Sequence, residues 1–79
     1  MRGLKFSFLL FPFLLFSQTP AELFQQGNAA YNGGNFALAI EKYELILAEN
    51  VHSDALYFNL GNAHYRLGNA AESVFYFEQ

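Results

Sequence analysis

The chain has no cysteine. That excludes disulfides, and with them cysteine-based zinc and redox chemistry. Cations are scarce too. Arg2 and Lys5 fall in the first few positions, and beyond residue 17 only Lys42 and Arg66 remain. They face Glu22, Glu41, Glu44, Glu49, Asp54, Glu72 and Glu78, a net of −5 for that part. Such a surface repels a phosphate backbone, so nucleic acid is excluded as a partner. No Asn-x-Ser/Thr triplet occurs, so there is no N-glycan acceptor. Histidine is limited to His52 and His64. A metal site needs several converging ligands, and none stands at helical spacing from His64: Leu60 and Gly68 lie four residues away, Gly61 and Leu67 three. Ser53 reads as a helix cap and Ser73 as a small packing residue, with no nucleophile–base pairing. Gly33-Gly34 is not a phosphate loop, since no strand precedes it and no lysine follows at the required spacing. No cofactor or metal is called for, and the chain does not read as an enzyme.

What is present begins with an apolar leader. Arg2 and Lys5 precede Phe6 to Phe16, an 11-residue apolar run broken only by Ser7 and Pro12, and the small residue Ser17 follows. This is the layout of a secretory signal peptide over 1–17. The run is shorter than the roughly 20 residues that span a bilayer. The competing readings are an uncleaved anchor and a buried core helix; Pro12 and five phenylalanines suit a transient segment better than a packed helix. Cleavage after Ser17 would leave Gln18 as the new terminus.

From residue 20 the chain repeats itself at an offset of 34. Gly27-Asn28-Ala29-x-Tyr31 falls on Gly61-Asn62-Ala63-x-Tyr65, Gly34-Asn35 on Gly68-Asn69, and Phe24 on Phe58. Between 20–45 and 54–79, 10 of 26 positions are identical without a gap. Repetition at this period marks a stacked-repeat protein, each unit one helical hairpin.

Local signals place the helices. Thr19-Pro20-Ala21-Glu22 combines a cap, a first-turn proline and a capping-box acid, and starts a helix running to Asn32. Asn32 to Asn35 is a turn, with Asn35 capping a second helix over about 36–49. Its apolar residues Phe36, Ala39, Ile40, Tyr43, Ile46 and Leu47 recur at three and four residues, one buried face. Asn50 to Ser53 breaks the pattern. A third helix runs from Ser53 or Asp54 to about Leu67, and Asn69 is expected to cap a fourth that reaches the end of the chain. Stopping at Gln79 inside a continuing helix reads as a piece of a longer chain or a truncated gene product.

The run Leu56 to Asn69 (LYFNLGNAHYRLGN) resembles helix A and the turn of a tetratricopeptide repeat, and the 34-residue period agrees. The resemblance covers 20–79, as repeat 1 over 20–53 and repeat 2 over 54–79, truncated in its second helix. It implies an all-α architecture of antiparallel helix-turn-helix units stacked as an α-solenoid. The repeat signature falls on Gly27, Gly34, Ala39 and Tyr43 in the first unit and on Gly61, Gly68, Ser73 and Phe77 in the second. The helix-A aromatics Tyr31 and Tyr65 stand one place late, and Val51 replaces the usual closing proline. Only small residues let helix backbones approach closely, so Gly61→Leu is expected to unfold its hairpin. A narrower resemblance, carried by the leader and the second repeat, is to the exported repeat proteins of Bacteroidetes aerotolerance (Bat) operons. It implies the periplasm or cell envelope of a Gram-negative bacterium.

In this architecture peptides dock on the inner faces of the A helices. By analogy the groove residues are Phe24, Asn28, Tyr31 and Asn32, with Phe58, Asn62, Tyr65 and Arg66. Asn28 and Asn59 match part of the family's carboxylate clamp, but Phe24 stands in its lysine's place, which argues against that mode. The expected function is an exported, non-catalytic interaction scaffold holding a partner peptide or helix in its concave groove. Two alternatives stand beside it. One is a structural segment whose uncapped end, with Phe75, Tyr76 and Phe77, self-associates or stacks on further repeats. The other is an accessory region of an envelope enzyme, with membrane attachment in a longer chain.

Overall fold

The computed structural model describes residues 18–79, so the leader expected over 1–17 lies outside the described residues. Four helices follow one another: α1 (Pro20–Asn32), α2 (Phe36–Ala48), α3 (Asp54–Arg66) and α4 (Ala70–Phe77). Among the described residues there is no strand, and no helix is long and apolar enough to cross a membrane. The chain is all-α. It pairs into two helical hairpins, α1–α2 and α3–α4, with α3 laid against α2.

The start signals work as local chemistry dictates, with one exception. Thr19 Oγ1 accepts the Glu22 N–H at 3.1 Å while Glu22 Oε1 accepts the Thr19 N–H at 2.9 Å. This capping box is worth about 1 kcal/mol. Asn35 and Ser53 cap α2 and α3 by accepting the N–H groups of Leu38 (3.2 Å) and Leu56 (3.1 Å). Asn69, expected to cap α4, makes no such bond. Its amide instead lies 3.1 Å from His64 Nδ1. The first residues of α4 are exposed, so water can satisfy their N–H groups, whereas the buried imidazole has no such recourse. Helix α4 also stops at Phe77, two residues short of the expected end. The Gln79 side chain donates to the Phe75 carbonyl at 3.0 Å.

The turns within the hairpins share one geometry. Gly34 and Gly68 take φ of 83° and 80°. The N–H groups of Asn35 and Asn69 then close onto the carbonyls of Ala30 and His64 at 2.8 and 2.9 Å, which satisfies groups the helix end leaves open. Asn50, at φ 62°, fills the same left-handed place after α2. His52 is exposed, and its ring engages the Tyr57 hydroxyl and, at 3.0 Å, Asn50 Oδ1.

The core consists of Leu23 from α1, Ala39, Ile40, Tyr43 and Ile46 from α2, and Leu56, Leu60 and Ala63 from α3. Four of the six residues expected on the buried face of α2 are fully buried; Phe36 and Leu47 are half-buried. Helix α4 adds no apolar residue to this set. Its one buried side chain, Ser73, donates to the Gly61 carbonyl at 2.9 Å, which ties α4 to α3. Val74, Phe75 and Phe77 stay exposed.

Candidate functional site

Helix α3 seats Leu56, Leu60 and Ala63 on the first hairpin, packed against α2, and this brings α3 across from α1. Between them lies a cleft of about 280 Å³, lined by Asn28, Tyr31 and Asn32 of α1, Asn59 and Asn62 of α3, and Tyr43 of α2. No lining side chain carries a charge. The cleft is built around Asn28, whose Oδ1 accepts the Tyr43 hydroxyl at 2.6 Å and the Asn59 amide at 3.1 Å. One acceptor thus joins three helices. Among the described residues, the Asn28 Nδ2, the Asn59 Oδ1 and both amide ends of Asn32 and Asn62 make no hydrogen bond within the chain. The nitrogens can donate and the oxygens accept toward a ligand. Such a set suits an amide backbone, which needs both roles, and offers no counter-charge to a carboxylate or phosphate.

Of the eight groove residues expected from the sequence, the cleft brings together Asn28, Tyr31, Asn32 and Asn62. The other four go elsewhere. Phe24 packs on the Tyr43 ring, centroids 5.8 Å apart, on the side of the hairpin that receives the start of α3. Phe58 lies on the outer face of the second hairpin, 6.0 Å from the Phe77 ring. Tyr65 is 70% exposed and does not line this cleft. Arg66 reaches back to the first hairpin, its guanidinium 4.6 Å over Phe36 and 5.9 Å from the Tyr31 ring. Those four positions share a helix number with the groove but not a direction, and side-chain direction decides contact.

Two lining residues were not among the eight. Tyr43 reads from the sequence as a packing aromatic, and it is 1% exposed. Its hydroxyl is the feature that matters, and the sequence carries the hint: the repeat-equivalent position is Phe77, which has none. In the sequence Asn59 stands out only through the clamp pattern, though it lies one helical turn from Asn62.

His64 is buried, its ring stacked on Tyr76 with centroids 5.5 Å apart and planes at 17°. The Asn69 amide donates to Nδ1, which places the proton of the neutral ring on Nε2. That Nε2 is buried without a partner. Among the described residues no group of three His, Cys, Asp or Glu converges on a metal position.

Burial pushes the pKa of the Tyr43 phenol above its ordinary 10.0; the Asn59 amide opposes the shift and the neighbouring Tyr31 adds to it. Tyr76 is raised as well, first by burial, then by the charges of Glu44, Tyr57 and Glu72. For an acid whose folded pKa is raised, the fold favours the neutral form. The associated stability is complete below the unfolded value of 10.0 and is lost as pH rises through the folded value. Thermal melts followed by circular dichroism should therefore show a declining midpoint above about pH 10, and Tyr43→Phe should reduce the decline. An equal decline in that variant would remove Tyr43 as its source.

Comparison with protein-family models, with curated proteins and with solved structures finds no match to this chain.

Proposed function

We propose that this chain is an exported, non-catalytic protein-interaction scaffold. Its units are of tetratricopeptide type, stacked as a short α-solenoid, and the cleft between α1 and α3 holds an extended partner peptide. The single observation that carries the reading is the uncharged amide cleft itself. Asn28, Asn32, Asn59 and Asn62 present unengaged hydrogen-bonding groups on two rigid helices, with the Tyr31 ring beside them. An extended peptide offers alternating N–H and C=O groups, which asparagine can meet in either direction. The anchoring of Asn28 by Tyr43 and Asn59 holds that amide in place before a ligand arrives, which lowers the entropy lost on binding.

The 34-residue offset and the stacking of two hairpins support the repeat assignment. The basic, apolar and small-residue order of positions 1–17 supports export, and with it a place in the periplasm or cell envelope.

A display library of random peptides tests the binding reading. The chain should enrich a peptide motif, and Asn32→Ala with Asn62→Ala should weaken its retention by about 10- to 100-fold, two hydrogen bonds at about 1 kcal/mol each. Neither side chain is buried, so the helical circular dichroism should be unchanged. Equal retention by the folded double variant would reject the cleft as the binding site.

A further inference from the structure

Helix α1 ends at Asn32, and Gly33 follows it. Of the seven asparagines in the chain, Asn32 alone precedes a glycine. The fold does not require that glycine. Gly33 takes φ −84° and ψ 2°, a backbone conformation open to any residue. A Cβ built there would meet the Ala29 carbonyl oxygen at 3.4 Å, an ordinary contact. The internal repeat supplies the control. At the equivalent place after α3 stands Leu67, with φ −87° and ψ −3°. The next residue is the one that needs to be glycine, since Gly34 lies at φ 83°.

What glycine changes at position 33 is access to its backbone nitrogen. Bonding that nitrogen to Asn32 Cγ closes a five-membered ring, and a Cβ on the second residue crowds the approach. Asn32 is exposed and lines the amide cleft, with neither end of its carboxamide engaged within the chain. The Gly33 N–H donates to the Ala29 carbonyl at 3.0 Å, and this bond must open first. It lies at the end of α1, and helix ends open far more readily than buried interiors.

We infer that Asn32 is a deamidation site, and that its conversion puts a carboxylate into the otherwise uncharged amide cleft and lowers the cleft's hold on a peptide. The Gly33 nitrogen gives up its proton and attacks Asn32 Cγ. The bond from Cγ to that nitrogen forms, the Cγ–Nδ2 bond breaks, and ammonia leaves with the proton. Water then opens the cyclic imide. Attack at Cγ gives aspartate, and attack at the main-chain carbonyl gives isoaspartate. In sum, one amide and one water become a carboxylate and an ammonium ion, with no change of oxidation state.

Either product replaces a group that donates and accepts by one that only accepts. No cation lines the cleft to offset the new charge. The charge also stands at the C-terminal end of α1, where the helix dipole opposes it. The loss of peptide rests on the binding role proposed above; the chemistry at Asn32 does not.

The test incubates the folded chain at physiological temperature and mildly alkaline pH over weeks, followed by peptide mapping with mass spectrometry. Conversion is expected at Asn32, with the other asparagines slower by about 10-fold or more. Gly33→Ala should keep the helical circular dichroism and slow the conversion by about 10-fold or more. Gly33→Leu, which copies the second hairpin, is the companion variant. Conversion only in the urea-unfolded chain, a faster asparagine elsewhere, or an undiminished rate in both Gly33 variants would overturn the inference. Asn32→Asp isolates the effect of the charge: the amide shifts of Asn28, Asn59 and Asn62 should move. A peptide enriched on the unmodified chain should be retained about 10-fold less by this variant. Unmoved shifts, or equal retention of such a peptide, would overturn the link to the cleft. If the unmodified chain enriches no peptide, the binding role fails, while the mass measurement still decides the chemistry at Asn32.

Discussion

Gly27→Leu should unfold the first hairpin, whereas Gly61→Leu should leave most of the second helical. The two glycines are equivalent in the repeat, and sequence reasoning expects Gly61 to be a close-contact position. The structure shows that close contact at both glycines, and they differ in how firmly the facing ring is held. A Cβ on Gly27 would meet the Tyr43 ring, its Cδ1 only 2.8 Å away. That ring is 1% exposed and its hydroxyl is held by Asn28, so it has nowhere to go. A Cβ on Gly61 would meet the Phe77 ring as closely, with Cζ at 2.9 Å. Phe77, however, is nearly half exposed and lies in the last turn of α4, where it can swing into solvent. Overpacking a fixed core costs about 1–3 kcal/mol for a few methylenes and more where backbone must move. A leucine side chain pressed on a buried ring belongs to the second case. Circular dichroism with urea melts on both variants checks the difference. Equal loss in the two would mean that Phe77 is as firmly held as Tyr43.

Leu60→Ala should be the most damaging simple truncation, at about 2–5 kcal/mol. Leu60 is 0% exposed at the centre of α3, the helix that seats on the first hairpin and carries α4 on its other side. A single-domain protein of this size holds only about 3–9 kcal/mol in total. Loss of Leu60 therefore consumes much or all of the margin, and the urea midpoint should fall to near zero or the melt should lose cooperativity. Leu38→Ala, at an exposed position on α2, is the control and should change stability by less than about 0.5 kcal/mol. Similar midpoints for the two variants would mean that the hairpins are stable apart and that α3 is not the joint between them.

The local events of this fold were legible in the chain. The capping box at Thr19 and Glu22, the caps at Asn35 and Ser53 and the left-handed Gly34 and Gly68 depend on neighbours within five residues. Such signals act the same way wherever the helices later go. The first two helices begin where those signals put them, and the buried face of α2 follows its three- and four-residue spacing. Asn69 misled because its competing partner, His64, is buried by contacts outside its own turn.

What the chain by itself determined is therefore the all-helical hairpin, its turns, its period and its overall negative charge. The tertiary structure alone decided which equivalent residues are equivalent in fact. Asn28 became the hub of a cleft because Tyr43 and Asn59, 15 and 31 residues away, converge on it. Phe24 is half-buried and Phe58 is 59% exposed although both occupy the same repeat position. A repeat pattern specifies what each hairpin can bury, but burial is a property of the neighbour that arrives. Equivalent units of a stack can therefore differ in what they bury.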